Sequence, residues 1–411
     1  MAAGAILTLI LFITTLAFLF DFALEWLNLR AERTTIPPTV AAFYPQTEYA
    51  RSRAYHRAQT QFGFLSGAFS FFLSVAVLWW GGFGWLDAVL RGYLANEIVL
   101  ALAFFGILAL VSDLLTLPFQ LYGTFVIEAR FGFNKTTVGI FFADKLKGYV
   151  LAAVLGGALM AALLYLVQQL GPLFWLVFGV LAAGFLLLMN MFYASLVLPL
   201  FSKLTPLPDG ELKNAIYAFA NRVNFPVDNI FVMDGSKRSS KANAFFSGFG
   251  RKKKIVLYDT LLARHTTAEL VAVLAHEVGH FKKKHIVWAM MLSILQLFFV
   301  LFVLSLMIHN EQVSLALGGS QQAIHLNLLA FGMLFSPVSG VMGLGMMILS
   351  RKNEYEADAY ARQYLGSQDL ATALKKLSVD SLSNLYPHPV YVFFNYSHPP
   401  LLNRLSRLDA E

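Results

Sequence analysis

Seven long apolar runs divide the chain, at about 4–21, 62–82, 98–117, 148–167, 172–199, 286–308 and 328–350. A helix needs about 20 apolar residues to cross a bilayer, so the pattern predicts seven transmembrane helices. The first run, Ala2 to Phe20, has no basic segment before it and no small-residue cleavage site after it. It reads as a retained helix rather than a signal peptide. Two polar stretches are long, at roughly 200–285 and 351–411, and these are expected to pack together. The expected division is a membrane region of five helices at 1–200, a first soluble part at 201–285, two further helices at 286–350, and a second soluble part at 351–411. There is no internal repeat, low-complexity tract or long linker.

Within the first soluble part, Glu211 to Arg222 reads as a short amphipathic helix. Ile230 to Asp234, Ala242 to Phe246 and Lys254 to Tyr258 read as short strands, bounded by turn signals at Asp234-Gly235 and Ser247-Gly248-Phe249-Gly250. Thr266 opens a helix, with Glu269 placed to complete a capping box. The apolar pattern carries this helix without interruption into the sixth span, and Asn353 to Leu365 reads as a separate helix after the seventh.

The composition agrees with a polytopic helical membrane protein: 57% hydrophobic and 13% charged residues, where soluble domains carry about 25% charged. Cysteine is absent, which excludes disulfides and thiolate-ligated metals. The net charge of +7 does not point to nucleic acid, because its distribution follows the membrane. Of 31 Lys and Arg residues, Arg91 alone falls in the connections on one side. The positive-inside rule makes the other side cytoplasmic and places the N-terminus outside. The run Lys282-Lys283-Lys284 fits a basic face against acidic lipid headgroups.

Chemistry enters at His276-Glu277-Val278-Gly279-His280. On a helix, residues four apart share a face, so His276 and His280 can hold one metal ion with Glu277 beside them as a base. Three ionisable groups in an otherwise apolar helix cost several kcal/mol to bury unless a metal or partner compensates. The alternative is a solvated helix face near the membrane. Zinc in a hydrolase takes three protein ligands and leaves the fourth position to water. His285 is the nearest further histidine, but along a continuous helix it lies too far past His280 to join the same ion, and it reads as interfacial. Glu354 is the better candidate; it shares one helix face with Asp358, four residues on, so two like charges lie together. Glu354 as ligand with Asp358 behind it would explain the pair. Periodicity equally allows Asp358 to pair with Arg362 while Glu354 is solvated, and Glu356 points to the other face.

His-Glu-Val-Gly-His followed at a distance by Ser350-Arg-Lys-Asn-Glu-Tyr-Glu-Ala-Asp-Ala-Tyr-Ala361 resembles the membrane zinc proteases of the CAAX prenyl protease 1 type, the sterile-24 group. Other stretches carry the same resemblance: Leu117 to Glu128 with Gly132-Phe-Asn-Lys135, Pro206 to Leu212, Asp234 to Ser240, Asn243 to Gly248, and Ser397-His-Pro-Pro-Leu-Leu402 with Arg404. They run from about residue 20 to 405. The resemblance implies seven transmembrane helices around a chamber, closed on the cytoplasmic side by an α+β zinc protease domain. It implies one zinc ion per chain on His276, His280 and Glu354, with Glu277 as base. It implies that Asn243 and Ala244 lie on an edge strand holding substrate backbone. It implies that His398 and Arg404 face the site, with His398 stabilising the oxyanion. From the residues alone, His398 before Pro-Pro reads as a loop histidine.

The expected function is a zinc endopeptidase acting on peptide or protein substrates that are prenylated or otherwise membrane-associated, working as a monomer in the bilayer and binding no nucleic acid. The cysteine-free sequence, short loops and lack of a lysine-rich retrieval signal favour a bacterial inner membrane with the zinc site cytoplasmic, or the endoplasmic reticulum in a eukaryote. A site-2 type intramembrane protease is disfavoured, since the Leu207-Pro-Asp-Gly210 stretch precedes the histidine motif and that motif lies before its span. A transporter or channel with a regulatory metal is the alternative from another class. It would show intramembrane charges and matching broken helices, whereas Asp21 falls at the end of a predicted span and only Asp113 lies well inside one.

Overall fold

The structure is a computed structural model and describes residues 1–227, 229–247 and 254–409. The first half is helical: α1 (Ala3–Arg30), α2 (Gln46–Trp79), α3 (Glu97–Tyr122), α4 (Val138–Leu151), α5 (Gly157–Leu170) and α6 (Phe174–Phe192). Among the described residues, six helical stretches are long and apolar enough to cross a membrane, of which Val138–Phe201 is a single stretch of 64 residues. That stretch is interrupted at Gly171, whose φ of +52° leaves the helical region ahead of Pro172. α5 and α6 then pack against each other. Large apolar side chains face outward along these helices, among them Phe12, Phe72, Leu114, Val180 and Leu295. Only a lipid environment would cover so much exposed apolar surface.

Asp113 has a partner within the membrane region. Lys145 on α4 donates to its Oδ1 at 2.6 Å, Gln120 donates to the same oxygen at 3.1 Å, and Tyr149 donates to Oδ2. An intramembrane carboxylate is costly when alone, and here a cation and two neutral donors satisfy it.

The soluble part begins with β1 (Leu204–Pro206), α7 (Glu211–Arg222), β2 (Asn229–Met233), β3 (Ala244–Ser247) and β4 (Lys254–Tyr258). The sheet order is β1-β2-β4-β3, with β2 and β4 parallel and both outer strands antiparallel to their neighbours. Asp234 leaves the strand expected for it because its carboxylate accepts the Lys203 N–H at 2.7 Å. β3 starts at Ala244 rather than Ala242. Upstream, the Lys241 carbonyl accepts from the Thr260 hydroxyl at 3.0 Å instead of joining the ladder. Most of the turn expected at Ser247 to Gly250 lies outside the described residues.

The main helices of the rest of the chain are α8 (Thr267–Lys282), α9 (His285–Met307), α10 (Ile324–Leu365), α11 (Gln368–Asp380) and α12 (Leu401–Asp409). α8 opens on the expected capping box: the Thr266 hydroxyl accepts the Glu269 N–H, and Glu269 accepts the Thr266 N–H at 3.1 Å. Lys376 also reaches Glu269, at 2.7 Å, which fixes α11 to the start of α8. Leu270, Leu274, Ala275 and Val278 turn into a core shared with Ile216, Phe219, Tyr360, Ala361 and Leu405. Each fully buried leucine there contributes roughly 1.5–3 kcal/mol.

Two helix expectations are also corrected. The helix bearing the two histidines does not run on into the membrane. Lys284 takes φ +58°, a left-handed conformation that ends α8, and α9 starts afresh at His285. The Asn353 to Leu365 segment is not separate. It is the last third of α10, a continuous 42-residue helix, because nothing between Leu349 and Asn353 breaks a helix; only the composition changes from apolar to charged.

Gly279 permits the tightest approach between α8 and α10. A β-carbon there would sit 3.0 Å from both the Ala357 Cα and the Tyr360 Cβ. Substituting Gly279→Ala should therefore force the two helices apart and cost about 1–3 kcal/mol of stability, as overpacking does. A thermal midpoint equal to wild type would contradict the close approach.

Candidate active site

α8 presents His276, Glu277 and His280 within little more than one turn, and α10 presents Glu354 and Asp358 one turn apart. The close helix crossing at Gly279 brings the two sets together. The Nε2 atoms of His276 and His280 are 3.2 Å apart. Glu354 Oε1 is 3.2 Å from His280 Nε2, and its Oε2 is 3.5 Å from His276 Nε2. Among the described residues these three are the group that can surround one ion, with donor atoms all within 4.8 Å of one another.

The donor spacing tests the kind of ion. Ligands about 2.0–2.1 Å from a tetrahedral zinc stand about 3.3 Å from each other, and the two imidazole Nε2 atoms, 3.2 Å apart, agree; the carboxylate meets them through different oxygens, Oε1 toward His280 and Oε2 toward His276. A calcium-sized ion would spread its ligands further and would call for oxygens rather than imidazoles. Glu354 Oε2 is also buried without a hydrogen-bond partner, which a cation between the three groups would satisfy. The residues present thus fit the metal.

Behind the triangle, His276 Nδ1 donates to Asp358 Oδ1 at 2.8 Å. Arg404 on α12 forks onto the same carboxylate, Nε to Oδ2 at 2.8 Å and Nη2 to Oδ1 at 2.6 Å. Its Nη1 lies 3.4 Å from Glu354 Oε2. All four of these side chains are buried. Burial disfavours a charged His276, but the carboxylates of Asp358 and Glu354 outweigh it and push its pKa up to about 9. Burial likewise works against the Arg404 charge, and Asp358 overrides it to raise the guanidinium pKa further. Two carboxylates set against one guanidinium make a pocket that attracts positive charge.

His276, Glu277 and Glu354 open onto a cavity of about 230 Å³ that Asn243, Ala244, His398 and Arg404 also line. The His398 ring is exposed and its Nε2 is 3.3 Å from Glu354 Oε1. Apolar side chains line the cavity as well, Val273, Leu370, Leu374 and Leu377 among them. β3 is an outer strand of the sheet. The Asn243 carbonyl accepts the Tyr258 N–H at 3.1 Å, so the next amide faces away from β4. That amide, Ala244 N–H, is held by the Asn243 side-chain oxygen at 2.8 Å.

Every residue the sequence put forward for the site therefore sits in or directly behind one cavity. The pairing that periodicity left open resolves: Asp358 faces His276 and Arg404, and Glu354 faces both imidazoles. His285 is placed differently from its reading as interfacial. The break at Lys284 turns it back, buried, with Nδ1 3.0 Å from His280 Nδ1 and Nε2 3.2 Å from Glu356 Oε2. The sequence carried no signal for this, because neither lysine of the turn favours a left-handed conformation.

Comparisons with known proteins agree with the geometry. Residues 25–203 match the family described as CAAX prenyl protease N-terminal, five membrane helices, and residues 206–411 match Peptidase family M48. The CAAX prenyl protease 1 homolog of Arabidopsis thaliana is 34% identical over 403 residues, spanning 96% of this chain and 95% of that protein. CAAX prenyl protease 1 of Saccharomyces cerevisiae is 34% identical over 407 residues, spanning 92% and 90%. The crystal structure of S. mikatae Ste24p matches with a TM-score of 0.93 at 32% identity, covering 98% of this chain and 99% of that one. Fold and site together define a multi-pass membrane metalloprotease. The chain belongs to the CAAX prenyl protease 1 family of M48 peptidases.

The ligand triangle makes a direct prediction. Glu354→Ala should strip the purified protein of its metal, whereas Glu356→Ala should keep about one ion per chain, measured by elemental analysis. Equal metal content in both variants would place the third ligand elsewhere.

Proposed function

We propose that the metal is zinc, one per chain, held by His276, His280 and Glu354. The observation that carries this is the convergence of two imidazole Nε2 atoms, 3.2 Å apart, on the Glu354 carboxylate, whose buried Oε2 has no hydrogen-bond partner. When bound, zinc supplies an acidified water and polarises the scissile carbonyl.

The chain's own groups do the rest. Glu277 lines the cavity beside the ligands, where it takes the water's proton and later delivers it to the leaving amine. His398, at the exposed rim, donates to the oxygen on which charge develops. Asp358 fixes the ring of His276, and Arg404 fixes Asp358 while presenting Nη1 beside Glu354. Asn243 and Ala244 hold the substrate backbone: an extended peptide adds to the outer edge of β3 and takes over the Ala244 N–H from the Asn243 side chain.

The substrate is a peptide or protein segment that is prenylated or otherwise attached to the membrane, cleaved by a monomer. The proposed membrane region has seven transmembrane helices around a chamber, a reading supported by the turn at Gly171 within the 64-residue stretch. The basic connections put both soluble parts and the zinc site on the cytoplasmic side. The four parts 1–200, 201–285, 286–350 and 351–411 then alternate between membrane and protease domain. The cysteine-free sequence and short loops favour a bacterial inner membrane. In a eukaryotic cell the same sidedness would face the cytosol from the endoplasmic reticulum.

The catalytic reading is tested by Glu277→Gln, which keeps the ligands and removes the base. Zinc content should be unchanged and turnover of a peptide substrate should fall by at least about 10²-fold. Turnover within a few-fold of wild type would remove Glu277 from the mechanism. The same assay reports the strand. Proline next to the scissile bond removes a backbone donor and restricts its neighbour, so proline-flanked peptides should be cut poorly. Equal cleavage would make β3 scaffold only.

Topology is checked by reporter insertions at the exposed Asp209, at Ser320 between α9 and α10, and after α12. The first and last should report the cytoplasmic side and the middle one the opposite side. A reporter after α12 on the far side would contradict seven spans.

A further inference from the structure

His285 opens α9 immediately after the Lys283-Lys284 turn, and its ring is buried. On a continuous helix it would lie about 7.5 Å along the axis from His280 and on a different face. The left-handed Lys284 instead folds it back, so that its Nδ1 meets His280 Nδ1 at 3.0 Å. Its Nε2 meets Glu356 Oε2 at 3.2 Å.

The direction of these bonds follows from the ligand reading proposed above, on which the inference rests. A histidine that ligates through Nε2 carries its proton on Nδ1. His280 therefore donates from Nδ1, and His285 must accept at its own Nδ1. The proton of His285 then sits on Nε2 and is donated to Glu356. Each nitrogen in the row has one role and each proton one acceptor.

We propose that His285 is a positioning residue for the metal: it fixes the ring and tautomer of His280, with Glu356 fixing His285 in turn. The arrangement matches what Asp358 does for His276 directly, with one imidazole inserted between ligand and carboxylate. It also ties a metal ligand to the first residue of a membrane-spanning helix. Glu356 then acts on affinity rather than on stoichiometry, and its alanine variant can still purify with the metal.

The test is zinc affinity of the metal-free full-length protein, measured by chelator competition, with thermal midpoints of the metal-free forms alongside. His280→Ala should abolish tight binding. His285→Phe keeps a ring of similar size but no acceptor, and should weaken zinc binding about 10–100-fold, the usual cost of losing such a partner. His285→Asn keeps an acceptor near the Nδ1 position and should recover part of the loss. If His285→Phe folds poorly, Glu356→Leu replaces it, with a smaller loss of affinity expected and wild-type affinity counting against the proposal. Wild-type affinity in His285→Phe, with binding lost in His280→Ala, would overturn the positioning role and leave the ligand reading intact. An equal loss in the Phe and Asn variants would also overturn it, as that marks simple packing. Wild-type affinity in His280→Ala would overturn the ligand reading itself.

Discussion

The site depends on the distance between two helices. His276 and His280 come from α8, and Glu354 comes from the far end of the long helix α10. They can share an ion only because Gly279 has no side chain and lets α8 settle against Ala357 and Tyr360. The glycine within the metal motif is thus a packing residue, and the metal geometry is a consequence of how closely the backbones meet. The apolar face of α8 holds that contact with Leu270, Leu274 and Val278. The polar face carries the ligands. One helix serves both purposes through its 3.6-residue period.

The same close crossing sets the electrostatics. Glu354 and Asp358 enter a buried space where two like charges would repel. Arg404 offsets one of them, His276 bridges both, and a divalent ion would neutralise what remains. Breaking such a network by removing one member leaves another charge buried and unpaired, which is costly. The cavity in front is small and is lined both by apolar side chains and by Asn243 and Ala244 at the start of β3.

Much of this was legible in the sequence, and the rest was hidden for specific reasons. The membrane runs stood out because composition alone marks them. The capping box at Thr266 fixed the start of α8, and helix periodicity placed His276, Glu277 and His280. Periodicity could not decide between Glu354 facing a metal and Asp358 facing Arg362, since that depends on which helix lies opposite. Resemblance to a family supplied that choice. The extent of α10 was missed because apolar and charged residues propagate a helix equally well. The break at Lys284 was invisible because lysine has no preference for a left-handed backbone. It is a tertiary choice, and it carries His285 from an assumed interfacial position into contact with a ligand.

The proposal on which the rest turns is that His276, His280 and Glu354 hold one zinc ion. X-ray absorption at the zinc edge of the purified protein reads that shell directly. The account predicts two imidazole nitrogens and oxygen donors, four-coordinate, at about 2.0–2.2 Å. A shell with three imidazoles, or a six-coordinate oxygen shell, would contradict it.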